Sequence, residues 1–211
     1  MARKTKEEAE ETKKAIALAA LDTFCEKGYS KTTFDEIAKR INLTKGAVYW
    51  HFRNKADILS DLIRKSFEIS RLQLSKEVPV IDSLDTLRRY MLQEMLLVEN
   101  YPTYRKFLFF VIYQMEWSEA IINKVGKDVQ DVMNYTSRII KEALTLSQKN
   151  GEISPDANIE ETTDVIAAMW SGIMQNIIKP SFNIDPVRLI NASFDLITNG
   201  LKDKRSENEV R

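Results

Sequence analysis

Residues 33–59 constrain the fold of this chain more than any other stretch. Thr33 stands three residues before Glu36, the spacing at which each side chain satisfies the other's backbone N–H at a helix start. Phe34, Ile37, Ala38 and Ile41 follow at offsets of three and four and mark one apolar helical face. Asn42 and Leu43 interrupt that face. Thr44 is placed to cap a second helix from Lys45, whose apolar stripe is Ala47, Val48 and Phe52. Lys45, Tyr49, Trp50 and His51 are left over for other work. Asn54, three residues ahead of Asp57, opens a third helix in the same way. Two short helices about a tight turn form a helix-turn-helix, and its second helix is the one that enters the DNA major groove.

The rest of the chain agrees with an all-α reading. Its 211 residues allow one or two domains with a sizeable core. No apolar run approaches the ~18 residues of a membrane span, and the N-terminus lacks the apolar segment of a signal peptide. The single Cys25 sits in an apolar stripe and reads as a small buried hydrophobe in a chain suited to the cytoplasm. Net charge is zero, yet residues 1–55 carry 12 Lys/Arg against 8 Asp/Glu, so a basic head precedes an acidic body. One His, one Cys and no phosphate-cradling glycine loop leave enzymatic chemistry without a motif. No enzyme, metal site or cofactor is expected.

The run from Lys45 through Gly46, Ala47, Val48, Tyr49, Trp50 and His51 to Phe52, followed by Lys55, Ala56 and Asp57, resembles the DNA-binding signature of the TetR family of bacterial transcriptional repressors. With the charged opening residues, it is similar more narrowly to the AcrR-like repressors of multidrug efflux pumps. The specific match covers roughly the first 60 residues. The resemblance implies a repressor that leaves a palindromic operator when a small lipophilic ligand binds, with control of an efflux pump as its task. It also implies a homodimer formed through the last two helices. The competing class, a helical protein-interaction module without ligand control, leaves the Lys45–Lys55 pattern unexplained.

Individual roles follow in part. Lys45 can donate to a guanine edge or to a phosphate. Gly46 lets backbone approach DNA closely. Tyr49 and His51 resemble family positions on the sugar-phosphate backbone, and Lys55 resembles the family's phosphate-clamping lysine. Thr33 and Thr44 cap helices and can face phosphates. Trp50 offers either an apolar contact to DNA or packing inside the head.

Residues 1–12 read as loosely held. Arg3, Lys4 and Lys6 form either a DNA-following arm or a solvated tail. Helices are expected over about Thr12–Lys27, Asn54–Ser75 (Ile58, Leu62, Ile69 and Leu72 inward), Ser83–Asn100, Ser118–Gln148, Ile159–Ile178 and Pro186–Lys202. The division is a helix-turn-helix head at 1–56, a ligand-binding and dimerisation body at 57–204 and a charged tail at 205–211.

Seven of the chain's aromatic residues fall between Tyr101 and Trp117, and every methionine after Met1 lies between Met91 and Met174. Such clustering is either plain core or the wall of a cavity for varied apolar ligands. The candidate lining is Phe67, Met91, Met95, Phe110, Tyr113, Glu116, Trp117, Met133, Trp170 and Met174. Glu116 is the polar candidate: buried without a partner it would call for a cationic ligand, whereas exposed beside Trp117 it would do nothing.

Overall fold

The computed structural model describes residues 5–180 and 185–202, except for the side chain of Met133. In order these form α1 (Lys6–Lys27), α2 (Phe34–Arg40), α3 (Lys45–His51), α4 (Lys55–Glu77), α5 (Leu84–Asn100) and α6 (Pro102–Phe109). A π-helical turn (Phe110–Gln114) follows, then α7 (Glu119–Lys149), α8 (Ile159–Ile178) and α9 (Pro186–Leu201). No strand occurs among the described residues, so the all-α expectation holds. None of their helices is long and apolar enough to cross a membrane.

Packing divides the chain into two units: Met1–Glu68 with Lys106–Gln130, and Ile69–Arg105 with Asp131–Arg211. The division passes through α4, between Glu68 and Ile69.

In the first unit, α1 starts earlier than its apolar stripe alone indicates. Thr5 accepts the Glu8 N–H at 3.2 Å, and the Glu8 carboxylate takes the Thr5 N–H at 2.9 Å. This capping box nucleates the helix at Lys6, so most of the supposedly loose lead-in is its first two turns. Arg3 and Lys4 lie outside the described residues, as does the 205–211 tail. Further along, α1 buries Ile16, Ala20, Leu21 and Phe24 completely or nearly so. Phe24 stacks on Phe110 with ring centres 5.5 Å apart. A polar latch lies between α1 and α4: the buried Asp61 takes Lys13 at 2.7 Å and Lys65 at 3.4 Å, and Lys65 reaches Glu10 at 2.7 Å.

The second unit is built on α5, whose Leu84, Leu87, Met91, Met95 and Val98 all point inward as their spacing requires. Helix α9 packs against it through the fully buried Ile190 and Phe194. On α4 the inward face differs from expectation. Ile69 and Leu72 are half exposed, and Ser70 and Leu74 are buried instead. The reason is polar: the Ser70 hydroxyl is hydrogen-bonded to the Tyr104 phenol, which turns that face of the helix inward.

Candidate nucleic-acid interface and a buried acidic cluster

The turn between α2 and α3 is set by Asn42, whose φ of 54° places it in the left-handed region that asparagine tolerates better than most residues. The Leu43 N–H donates to the Ala38 carbonyl at 2.9 Å and closes the turn. Thr44 then accepts the Ala47 N–H at 3.2 Å and starts α3. Val48, the one buried residue of α3, and Phe52 just beyond it pin the helix to the head. The opposite face is turned outward, with Tyr49 53% and Trp50 72% exposed. Packing inside the head is thereby excluded for Trp50, whose ring meets only the edge of His51 at 4.5 Å among the ring contacts described. Tyr49 is steadied by the Phe34 ring at 4.8 Å, with the Lys45 ammonium 5.7 Å from its centre.

Gly46 lies on this outward face. A Cβ built there meets only Thr44 Oγ1, at 3.8 Å, which is ordinary contact. Nothing inside the protein requires glycine at this position.

Lys55 has a role the sequence did not disclose. Its ammonium donates to the Tyr29 carbonyl at 2.6 Å and the Ser30 carbonyl at 2.9 Å, over the Tyr29 ring. Desolvation there lowers its pKa. The lysine therefore fastens the turn after α1 to the start of α4. Thr33 is likewise engaged: with Glu36 it forms a complete capping box for α2. Glu36 also accepts from Lys27 at 2.6 Å, and this bond, helped by the Thr33 donors, pulls its carboxyl down to about 2.

The ten candidate lining residues are not brought into one unit. Phe67, Phe110, Tyr113, Glu116 and Trp117 belong to the first unit; Met91, Met95, Trp170 and Met174 are buried in the second. Met133 lies on α7, with its side chain outside the described residues. Phe110 is fully buried against Phe24 and serves as core of the first unit. Tyr113 and Trp117 are more than one-third exposed. Glu116 is also exposed, in the turn after the π-helical segment. It is not the buried carboxylate.

That carboxylate is Glu94, on α5 one turn after Tyr90. Glu94 is partly buried, with protein packed around most of its side chain. Burial raises its pKa to about 7, partly offset by a hydrogen bond from the Trp170 indole. Tyr90 is hydrogen-bonded to Tyr135, and burial, then the Glu94 charge, push its phenol well above the usual range. The same two causes act on Tyr104. A sequence signal for this cluster did exist: Glu94 falls in line with Met91 and Val98, within the apolar stripe of α5.

Comparison with known proteins agrees with this geometry. Residues 16–62 match the sequence profile of bacterial regulatory proteins of the tetR family. TtgW of Pseudomonas putida, an uncharacterized HTH-type transcriptional regulator, is 33% identical over 136 residues, covering 64% of this chain and 98% of its own. NalD of Pseudomonas aeruginosa, the secondary repressor of the MexAB-OprM multidrug efflux pump, superposes with a TM-score of 0.77 at 23% identity, covering 94% of this chain and all of its own. SmeT of Stenotrophomonas maltophilia, in complex with triclosan, superposes with a TM-score of 0.75 at 21% identity, covering 92% of this chain and 93% of its own.

Proposed function

The chain belongs to the TetR family of bacterial regulatory proteins, and from that premise we propose that it is a homodimeric, cytoplasmic repressor released from its operator by a small lipophilic ligand, with a multidrug efflux pump among its targets. The observation that carries this reading is the outward face of α3. A helix-turn-helix of this geometry presents Lys45, Gly46, Tyr49 and Trp50 together, with a glycine that the protein itself does not need.

Residues 1–56 read DNA in this scheme, and 57–204 bind ligand and form the dimer. The dimer surface is the outer side of α8 and α9, where Val165 is 55%, Val187 43% and Leu196 75% exposed, and where Ala168 and Gly172 allow close approach. Two-fold symmetry then calls for two matching half-sites about one DNA turn apart, on the order of 34 Å, or more widely spaced. The ligand rests among Met91, Met95, Trp170 and Met174, with Glu94 taking the place expected of Glu116. Efflux control extends to this chain what NalD is named for, and ligand binding extends what the SmeT complex contains.

Coupling runs along α4, which begins at Lys55 beside the helix-turn-helix and continues to Ser70 and Leu74 in the second unit. Coupling of this kind is typically worth about 1–3 kcal/mol, or roughly 5–150-fold in affinity, and is reciprocal. The test is protection of the DNA upstream of the protein's own gene from nuclease, repeated with lipophilic compounds. A protected, partly palindromic segment that reopens with a ligand is the expected result. Absence of any protected segment at micromolar protein contradicts the proposal.

A further inference from the structure

Among the described residues no other charged side chain is buried as completely as Asp61, on the second turn of α4 at 4% exposure. One of its oxygens takes the Lys13 ammonium of α1 at 2.7 Å. The other, Oδ2, is buried and accepts no hydrogen bond, with Lys65 standing 3.4 Å away. Lys65 returns to α1 through Glu10 at 2.7 Å, so the two helices are joined at points one turn apart. An enclosed ion pair with an oxygen left over recovers little beyond its own desolvation cost, and so adds little to stability. What it supplies is direction, because a short charge-assisted bond holds only in a narrow range of geometries.

The same ammonium touches the end of α3. Lys13 Nζ lies 5.5 Å from the centre of the Phe52 ring, within the range of cation–π attraction. Phe52 is buried, and its N–H donates to the Val48 carbonyl at 2.9 Å to close α3. The rest of α3 packs on α2, which packs in turn on α1. Lys13 therefore reaches the C-terminal end of α3 directly, and Asp61 fixes where Lys13 sits. Local bonds complete the corner: the Arg53 N–H donates to Asp57 and the Asp57 N–H to Asn54, both at 3.1 Å.

We propose that Asp61 and Lys13 are positioning residues for operator binding, which set the tilt of α3 through Phe52 and pass a displacement of α4 on to it. This rests on the reading of α3 as the element that enters DNA, and it names the side chains by which α4 holds that helix.

The test is the double variant Lys13→Met with Asp61→Leu, made in the full chain. It removes one charge of each sign, so net charge and the general attraction to phosphates are kept. Apolar replacement of a buried pair is often neutral or stabilising, so the urea midpoint does not fall. Without DNA, exchange of the Phe52 amide hydrogen quickens at least about tenfold, while the amides of α5 exchange as in the wild type. The Kd for the upstream duplex rises at least about tenfold, and that for a random duplex of equal length changes by less than about twofold. Lys13→Arg keeps the pair and retains the wild-type ratio of the two Kd values. Lys13→Met alone lowers that ratio, and decides the matter should the double variant fail to fold.

Unchanged Phe52 exchange, an unchanged Kd for the upstream duplex, or equal losses on both duplexes overturns the inference. So does an arginine variant that fares no better than methionine. A wild type that binds no upstream duplex strikes the repressor reading instead, and the Phe52 exchange, which needs no DNA, then decides the hold of Asp61 and Lys13 on α3.

Discussion

Gly46→Ala separates the stability of the head from its DNA binding, because the two move in opposite directions. The added methyl meets only Thr44 Oγ1 at 3.8 Å, so it brings no internal clash. Replacing glycine by alanine within a helix stabilises by about 0.5–1 kcal/mol through the unfolded chain's lost freedom, and Gly46 lies in the first turn of α3, toward the lower end of that range. At the DNA surface the same methyl stands where backbone is proposed to meet a phosphate. A displaced contact of that kind costs about 1.4 kcal/mol or more, which is tenfold in affinity. Urea unfolding followed by circular dichroism reports the first quantity, and fluorescence anisotropy on a labelled upstream duplex reports the second. The expected pair is a midpoint unchanged or raised and a Kd increased at least about tenfold. An alanine variant that loses stability shows that the head itself needs the glycine. One that keeps full affinity shows that DNA never comes close to this backbone.

Three further outcomes follow from particular contacts. Lys55→Ala gives up two charge-assisted bonds to the Tyr29 and Ser30 carbonyls, so it destabilises by about 1.5–3 kcal/mol and weakens DNA binding with the salt slope unchanged; a slope reduced by about one in binding titrations would instead make it a phosphate contact. Glu94 has a folded pKa of about 7, above its ordinary 4.5, so its burial costs nothing at low pH, costs progressively more as pH rises between those values, and costs most above 7. Glu94→Gln is therefore more stable than wild type at pH 8, by on the order of 1–3 kcal/mol, with the gap closing toward pH 4.5 in urea titrations. Leu196→Glu places a charge on the proposed dimer surface without touching the core, so sedimentation should find monomers with native helicity and lost operator binding; a stable dimer would move the interface elsewhere.

Local features were legible from the chain alone because the partners involved are three or four residues apart. Thr33 with Glu36, Thr44 ahead of Ala47, and the inward stripe of α5 all appear as their spacing requires. The exposed triplet of Lys45, Gly46 and Tyr49 follows once Val48 and Phe52 are taken as the buried side of α3. The capping box at Thr5 was equally local, though the polar composition around it suggested a loose segment.

What only the tertiary structure decided is where side chains meet partners far along the chain. Phe110 lies inward on Phe24, three residues after the buried Phe107, and the π-helical turn that begins there ends the helix before Glu116, which is left in solvent. No residue type announces that turn. Lys55 finds its carbonyls 25 and 26 residues upstream, and Ser70 turns inward because Tyr104 waits for it on another helix. Glu94 is placed on an apolar stripe by α5 alone, but its seclusion requires Trp170 from α8 and Tyr104 from α6. Sequence spacing determines which face of a helix a residue occupies; whether that face is wet, and what answers its charge, depends on every element packed around it.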